Sequence, residues 1–434
     1  MSQKSYSFRI GEGSMEVELP VENIIYDVKG NSAETITDVP AAVREALRNP
    51  IGTPPLVNVV SPGDKVVITV GDITRAWIKH DQFLPVVLDE LNAAGVADAN
   101  ISIVVTLGAH RPHTQAEDIV VCGDEVCHRV KVYQHNSHDK ENLVKIGQTS
   151  RGVPIIVNRR VAEADKVILT SGIVYHLMAG FGGGRKAVMP GISAYESIQG
   201  NHTFALHKEI GKGLNVNSVS GKLNGNEMHE DMTEHAAALN PAFLLNAVYN
   251  PQGEFTKFFA GHWYKAWEAG CKEVERIYGI PIQQQADLVL ASAGGFPRDI
   301  NLYQGSKTID NAAMATKPGG VAICFLECRD IKEPPDFSNW FQYVNKYDRE
   351  IALRAGFTVP GFIALKFAYI AQNISLIIVT KPENADFVRN AGLIPAADAA
   401  EAMRIAREKI GKDDFSITLM TEAGTTVPLM PGGH

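Results

Sequence analysis

The chain has 434 residues, of which 45% are apolar and 21% are charged. That length is too great for one ordinary domain and predicts two. The net charge of −8 argues against a nucleic-acid-binding protein, since such proteins are usually basic. The N-terminal sequence lacks the apolar segment of a signal peptide, and no apolar run reaches the roughly 18 residues of a membrane helix. We therefore expect a cytoplasmic protein without nucleic-acid or membrane partners.

Almost unbroken runs of Val, Ile and Leu predict buried strands of parallel sheets. They lie at 65–70, 101–107, 166–171, 287–292, 320–326 and 375–380. Helical patterns separate them, at 82–95, 233–247, 306–316 and 395–410. This alternation predicts an α/β fold with two domains, each built on a largely parallel sheet, and an active site in the cleft between them.

The strand and helix patterns form two groups along the chain. We place the first domain at residues 1–275 and the second at 280–408. The polar, Pro-containing segment 279–287 is a plausible connector. The tail, from about 411 to 434, has strand-like alternation at 416–430 and is expected to pack back on the first domain.

Polar residues follow four of the predicted strands directly. The stretches are GDITR (71–75), GAHRPH (108–113), GIVYHLMAGFGGGRK (172–186) and AGGFPRDINLYQGSK (293–307). In open α/β sheets, ligands bind outside the carboxyl ends of the strands. The stretches carry an excess of cations, which suits a small anionic substrate or an anionic cofactor. Ordinary solvated loops are the alternative explanation.

The glycine run 182–184 does not fit a nucleotide-binding P-loop. That motif needs a glycine before its lysine and a Ser or Thr after it, whereas Lys186 lies between Arg185 and Ala187. The glycines still allow positive φ and close approach of the backbone to a ligand. A plain surface turn is equally compatible with them.

Two histidines at strand ends, His110 and His176, are natural general acid and base groups. A pair placed on opposite sides of one carbon could act on either enantiomer, which suggests racemisation, although it also fits a hydrolase. Cys122, Cys127 and His128 are a weak alternative pattern for a structural zinc site.

The run from His176 to Gly191, H-x-x-A-G-F-G-G-G-R-K-x-x-x-P-G, resembles the nickel-dependent lactate racemase family, as does His202, sixteen residues beyond Lys186. The resemblance extends in the same order to four further motifs. They are D-x-T-R (72–75), G-x-H-R (108–111), N-G-N-x-x-H-E (224–230) and D-I-N-L-Y-Q-x-x-K (299–307). It covers nearly the whole chain.

The resemblance implies a nickel pincer nucleotide as cofactor, a pyridinium-3-thioamide-5-thiocarboxylic acid mononucleotide that carries nickel. It implies that Lys186 bonds covalently to the cofactor, that His202 ligates nickel, and that cofactor-biosynthesis enzymes are partners. Further cofactor-binding residues implied in this way are Asp72, Thr74, Gly183, Gly184 and Arg185. Asp72 could instead be the N-cap of a helix after its strand.

By the same resemblance, His110 and His176 are the paired acid and base. The reaction it implies transfers hydride from C2 to the cofactor and has a 2-keto acid as intermediate. Arg75, Tyr303, Gln304 and Lys307 are similar to the family's substrate-binding residues. Phe362 takes the place of the His or Trp that many relatives have near the substrate. The predicted function is a nickel-dependent 2-hydroxyacid racemase, with lactate the default small 2-hydroxy acid.

Three alternatives stay open at this point. One is a racemase or epimerase of a larger 2-hydroxy acid, such as malate or phenyllactate. Another is a nicotinamide-dependent 2-hydroxyacid dehydrogenase, which needs G-x-G-x-x-G spacing that the glycine run lacks. The third is a non-catalytic carrier of the cofactor.

Overall fold

The structure is a computed structural model, and it describes residues 2–343 and 345–431. Its strands are β1 (Gln3–Ile10), β2 (Gly13–Pro20), β3 (Ile24–Asp27), β4 (Val66–Gly71), β5 (Ile101–Thr106), β6 (Lys131–Gln134), β7 (Leu143–Gln148), β8 (Pro154–Asn158), β9 (Lys166–Gly172), β10 (Tyr175–His176), β11 (Gly180–Phe181), β12 (Phe243–Tyr249), β13 (Phe255–Gly261), β14 (Gly279–Pro281), β15 (Ala286–Ser292), β16 (Thr316–Phe325), β17 (Ser375–Val379), β18 (Ile394–Ala396), β19 (Ile417–Met420) and β20 (Val427–Leu429). Its α-helices are α1 (Val39–Arg48), α2 (Leu56–Val59), α3 (Leu84–Ala93), α4 (Gln115–Cys122), α5 (Asp124–Arg129), α6 (Arg159–Ala162), α7 (Tyr195–His202), α8 (Glu227–Leu239), α9 (Lys265–Tyr278), α10 (Leu302–Ala315), α11 (Pro335–Ser338), α12 (Lys346–Ala355), α13 (Val359–Asn373), α14 (Ala385–Asn390) and α15 (Ala399–Ile410).

The chain forms two compact units, whose boundaries differ from those expected. The N-terminal unit comprises Ser32–Ala205 and Asn217–Ile277. The C-terminal unit comprises the residues up to Asn31, the short segment Leu206–Val216 and the chain from Tyr278 onward. The first residues join the C-terminal unit because the hairpin β1–β2 buries Phe8 and Leu19 in its core, a tertiary contact that no local pattern predicts.

The sheet of the N-terminal unit has the strand order β13-β12-β9-β4-β5-β6. All neighbours are parallel except β12 and β13. Every residue of β4 is buried, as expected for a central strand covered on both faces. The predicted strands at 65–70, 101–107 and 166–171 are therefore confirmed as β4, β5 and β9.

The order in which the chain adds strands to this sheet reverses at β4. The chain adds β5 and β6 on one side of β4, then crosses to add β9 and β12 on the other. Such a switch opens a crevice outside the carboxyl ends of the two strands that flank it, here β4 and β9. The polar stretches 71–75 and 172–186 begin at these two strand ends.

The sheet of the C-terminal unit has the order β18-β17-β16-β15-β19-β3, and its neighbours are parallel. Its predicted strands are confirmed as β15, β16 and β17. The tail differs from expectation, because β19 lies inside this sheet between β15 and β3. All four residues of β19 are buried, which suits an interior strand and leaves no solvated face. Residues 432–434 of the predicted tail lie outside the described residues.

Two further expectations differ from the structure. The connector 279–287 contains β14, which pairs with β20, and runs into β15. The helix predicted at 233–247 is wrong in its second half, since α8 ends at Leu239 and β12 follows. Asn240 adopts a left-handed conformation as the C-cap and Pro241 comes next, a combination that stops a helix. None of the described helices has the length and apolar character needed to cross a membrane.

Candidate active site

Asp72 follows β4 and joins two neighbouring elements. Its carboxylate caps a short 3₁₀ helix, Ile73–Ile78, by accepting hydrogen bonds from the Thr74 backbone N–H (2.9 Å) and the Thr74 hydroxyl (2.5 Å). The other carboxylate oxygen accepts a hydrogen bond from Nδ1 of His110, which follows β5. Asp72 is thus both a helix cap and the residue that orients His110.

The contact with Asp72 fixes the proton position on His110. Nδ1 carries the hydrogen that it donates, so the lone pair of the neutral ring is on Nε2. Burial raises the pKa of Asp72, but the hydrogen bond and charge of His110, the bond from Thr74 and the charge of Arg75 together lower it below its ordinary value. The carboxylate stays ionised and can stabilise a proton that His110 gains.

His176 is held in the opposite tautomer. It lies in β10, which pairs with β11 in a small hairpin, and its Nδ1 accepts hydrogen bonds from the backbone N–H groups of Met178 (3.2 Å) and Ala179 (3.1 Å). The proton of the neutral ring is therefore on Nε2, which lies 3.2 Å from Nζ of Lys186. Burial and the nearby cations, Lys186 and Arg75 first among them, hold the pKa of His176 well below its ordinary value.

Lys186 is half-buried in a 3₁₀ turn, Gly184–Ala187. Its ammonium group loses its proton unusually easily. Burial and the charges of Arg185 and Arg75 lower the pKa of Lys186 to about 7. In a large fraction of the molecules, the Lys186 side chain is then a neutral amine at neutral pH. A neutral amine is the nucleophilic form of lysine.

We predict that Lys186 in the cofactor-free protein reacts with acetic anhydride with half-maximal rate near pH 7, about 3.5 pH units below an ordinary lysine amine. The sign follows from the environment: burial, Arg185 and Arg75 all disfavour the charged form. Peptide mass spectrometry after labelling between pH 5 and 10 measures the profile, with the exposed Lys272 as reference. Parallel profiles for the two lysines would contradict the prediction.

His202 ends helix α7 and is buried, with 5% of its surface exposed. Burial and the charge of Lys186 lower the pKa of His202 to about 3, so the imidazole is neutral, which is the form that ligates metals. The preceding residue, Asn201, donates hydrogen bonds to Asp231 Oδ2 (2.8 Å) and the Met228 carbonyl (3.1 Å) of α8. These contacts fix the last turn of α7.

No group of three or more His, Cys, Asp or Glu side chains is arranged to hold a metal ion within residues 2–343 and 345–431. Cys122, Cys127 and His128, the set considered for zinc, do not form such a group among these residues. The role of His202 as a nickel ligand stays a prediction.

The glycine run packs against the protein interior. Gly183 and Gly184 have φ values of 70° and 52°, which favour glycine. The Gly184 N–H donates to Asn246 Oδ1 of β12 (2.9 Å), and Nε1 of Trp267 donates to the Gly182 carbonyl (2.8 Å). The run is thus a buried loop and no surface turn. Cofactor contacts from Gly183 and Gly184 stay a prediction.

Gly184→Ala should destabilise the protein by about 2–4 kcal/mol, because left-handed strain and overpacking add. A Cβ at Gly184 would lie 2.5 Å from ring atoms of Trp267. Gly253 offers a matched control, since it has φ +79° and nothing within 4 Å of its Cβ position. Gly253→Ala should therefore cost only about 1–2 kcal/mol. Denaturant unfolding compares the two, and equal losses would mean that the Trp267 contact is unimportant.

Arg185 is fully buried and turned into the protein. Its Nε donates to His229 Nδ1 (2.8 Å), and its two terminal nitrogens donate to the carbonyls of Phe181 (3.1 Å) and Ala179 (2.7 Å). Its guanidinium lies 4.0 Å from the ring centre of Trp267. Sequence reasoning placed Arg185 at the cofactor and did not assign His229, although His229 belongs to the N-G-N-x-x-H-E motif.

The remaining predicted residues occupy two places. Arg75 is exposed at the end of β4, where Nη1 donates to the Thr74 hydroxyl (2.8 Å) and its charge acts on His176 and Lys186. In the C-terminal unit, Tyr303 is half-buried while Gln304 and Lys307 are exposed one turn apart on α10. Phe362 is buried near the start of α13, with 1% of its surface exposed.

Known proteins share both the sequence and the architecture of this chain. Family models described as the lactate racemase N-terminal and C-terminal domains match residues 10–213 and 282–427. A lactate racemase from Thermoanaerobacterium thermosaccharolyticum is 31% identical over 424 residues, covering 96% of this chain and 97% of that protein. The chain belongs to the lactate racemase family. A second member, the lactate racemase from Lactiplantibacillus plantarum, is 31% identical over 376 residues, covering 85% of this chain and 86% of its own.

Solved structures agree with this family. The lactate racemase apoprotein from Thermoanaerobacterium thermosaccharolyticum superposes with a TM-score of 0.86 at 30% identity, covering 98% of this chain and all of that one. A protein from Thermotoga maritima superposes with a TM-score of 0.62 at 18% identity, covering 92% of this chain and all of its own, which shows a shared fold alone. The lactate racemase family consists of isomerases, and the two-domain α/β architecture predicted from the sequence is confirmed.

Proposed function

We propose that the protein racemises a 2-hydroxy acid, with lactate as substrate, and that it depends on a covalently bound nickel pincer nucleotide. The observation that carries the proposal is the short distance between Lys186 Nζ and His176 Nε2, which is 3.2 Å. Arg75 and His202 act electrostatically on His176, and Arg75 also acts on Lys186. One nucleophilic amine, two neutral imidazoles and one cation suit attachment of a metal cofactor beside an anionic substrate.

The donor set fits the proposed cofactor. Lys186, held partly as a neutral amine, would form the covalent bond to it. His202, neutral and fixed at the end of α7, would provide one imidazole ligand to nickel, a metal that imidazole suits. When bound, the cofactor would supply the hydride-transfer chemistry at C2 of the substrate.

The two histidines would handle the hydroxyl proton. His110 presents the lone pair of Nε2, and the ionised Asp72 behind it stabilises the imidazolium that forms, so His110 is set as a base. His176 presents the N–H of Nε2, so it is set to donate a hydrogen bond to the substrate oxygen while it stays neutral. The proton that His110 takes up is then the one available to return to that oxygen. For His176 to act as the base toward the other enantiomer, its ring proton would have to move to Nδ1, and the Met178 and Ala179 amides would have to release that nitrogen.

Arg75 is proposed to bind the substrate carboxylate, since a guanidinium pairs with a carboxylate through two parallel hydrogen bonds. Its position at the end of β4 puts its charge close to His176 and Lys186. Tyr303, Gln304, Lys307 and Phe362 are proposed as further substrate contacts. An apolar Phe362 favours a small aliphatic or aromatic substituent over a second carboxylate, and the methyl group of lactate fits this preference.

The test is racemisation by protein produced in cells that synthesise the cofactor. Pure L-lactate and pure D-lactate are incubated separately, and chiral chromatography follows both enantiomers. We expect both reactions to reach an equal mixture without added nicotinamide nucleotide. Racemisation of malate or phenyllactate alone would correct the substrate, whereas turnover that consumes free nicotinamide nucleotide would replace the proposal with a dehydrogenase.

A further inference from the structure

The N-G-N-x-x-H-E motif opens α8 and makes a direct contact with the loop that carries His176. Asn226 is the N-cap of α8, and its Oδ1 accepts the His229 N–H (3.3 Å). Its side-chain NH₂ group donates to the carbonyls of Met178 (2.8 Å) and Lys222 (3.0 Å). Met178 is one of the two residues whose backbone N–H groups hold His176 Nδ1, so the cap of α8 fixes this turn from behind.

His229, in the first turn of α8, holds the same loop through Arg185. Its Nδ1 accepts from Arg185 Nε at 2.8 Å, and its ring stacks on Trp267 at 5.6 Å between centres. Arg185 passes the contact on by donating to the carbonyls of Ala179 and Phe181. The chain of contacts therefore runs from α8 to β11 and to the turn of the hairpin that presents His176.

The chemistry of these contacts is unusual for a buried arginine. A buried guanidinium is normally paired with a carboxylate, because burying an unpaired charge is costly. Within the part of the chain that the structure describes, Arg185 has only neutral acceptors and one aromatic face. Burial and the charge of Arg185 lower the pKa of His229 to about 2, so its Nδ1 remains an acceptor. The cation next to Lys186 thus has no carboxylate partner among residues 2–343 and 345–431.

We propose that His229 and Asn226 are positioning residues that hold the segment His176–Lys186 in the geometry required for cofactor attachment, His229 acting through Arg185. The inference rests on the proposed function of Lys186. It adds a task for the N-G-N-x-x-H-E motif, which contacts the loop and neither of the reacting groups.

The test compares His229→Phe with His229→Asn. Phenylalanine keeps a ring against Trp267 but accepts no hydrogen bond, whereas asparagine places a carbonyl oxygen close to the position of Nδ1. In the cofactor-free protein, we expect hydrogen exchange at the Met178 and Ala179 amides to accelerate at least about tenfold in His229→Phe and to stay near wild type in His229→Asn. Exchange in β9 and β12 and the same substitution at the exposed His128 serve as controls.

The second measurement is the mass of protein made in cells that synthesise the cofactor. The fraction carrying an adduct on Lys186 should fall in His229→Phe and recover in His229→Asn. Unchanged exchange and unchanged loading in His229→Phe would overturn the inference, and so would an equal loss in both variants. If wild type itself carries no adduct, the proposed function fails, and the exchange comparison alone decides the positioning role.

A variant that does not depend on His229 guards against misfolding. Asn226→Asp keeps the oxygen that caps α8 but removes the NH₂ group that donates to the Met178 carbonyl. If His229→Phe fails to fold, faster exchange at Met178 and Ala179 in Asn226→Asp, with α8 intact, supports the inference. Wild-type exchange in Asn226→Asp contradicts it.

Discussion

Replacing Lys186 by alanine is expected to leave the protein without a covalent adduct and without racemase activity. The amine of Lys186 is half-buried, and burial with the charges of Arg185 and Arg75 brings its pKa to about 7, so it combines nucleophilicity with a fixed position. Intact mass and metal analysis on wild type and variant, both made in cells that synthesise the cofactor, measure the effect. We expect an adduct and about one nickel per chain in wild type, by the stoichiometry of one attachment lysine.

The matched control for this experiment is Lys272→Ala. Lys272 lies on α9 with 77% of its side chain exposed, so its removal changes charge without touching the site. It should retain adduct, nickel and activity. An adduct that persists in Lys186→Ala would move the attachment to another residue. A wild-type protein with a bare mass, from cells shown to load a relative, would remove the cofactor from the proposal.

Replacing His110 by glutamine is expected to lower the rate of racemisation by about 10²–10⁴-fold while the adduct on Lys186 remains. This is the range that a positioned general base contributes. The reason for expecting a full effect is the contact with Asp72, which is ionised, 4% exposed and bound to Nδ1, so that Nε2 is free to take the substrate proton. Initial rates from each enantiomer of lactate, together with intact mass, measure both quantities.

His128→Gln makes the same change at an exposed histidine on α5 and should leave rate and adduct unchanged. If His110→Gln kept its activity, the acid–base role would have to move away from His110. If the adduct were lost together with activity, His110 would be a residue of cofactor binding. The two outcomes separate because the mass of the protein does not depend on turnover.

The order of strands around β4 places the residues of both predictions near one edge of the N-terminal sheet. Asp72, His110 and His176 come from the ends of three different strands, and their separation in sequence reaches about a hundred residues. The sheet brings these ends to one edge because parallel strands all present their carboxyl ends there. Burial, together with the cations at this edge, lowers the pKa values of His176, His202 and Lys186.

The sequence by itself determined the elements whose signal is local. β4, β9 and β15 could be predicted because a strand covered on both faces needs an unbroken apolar run. The polar residues that follow those strands could also be predicted to lie at the strand ends. The order of motifs along the chain predicted the family. A pattern read over ten residues is sufficient for each of these statements.

The tertiary structure decided the features that depend on distant partners. β19 lies inside the C-terminal sheet because it pairs with both β15 and β3, which are distant in sequence, and Ile417–Met420 alone does not reveal these partners. Arg185 turned inward because α8 and α9 supply His229 and Trp267 as partners. The tautomer of His110 follows from one hydrogen bond to Asp72, and that of His176 follows from two hydrogen bonds donated by backbone amides. Sequence determines which groups are available, and long-range packing determines which of them meet and in which protonation state.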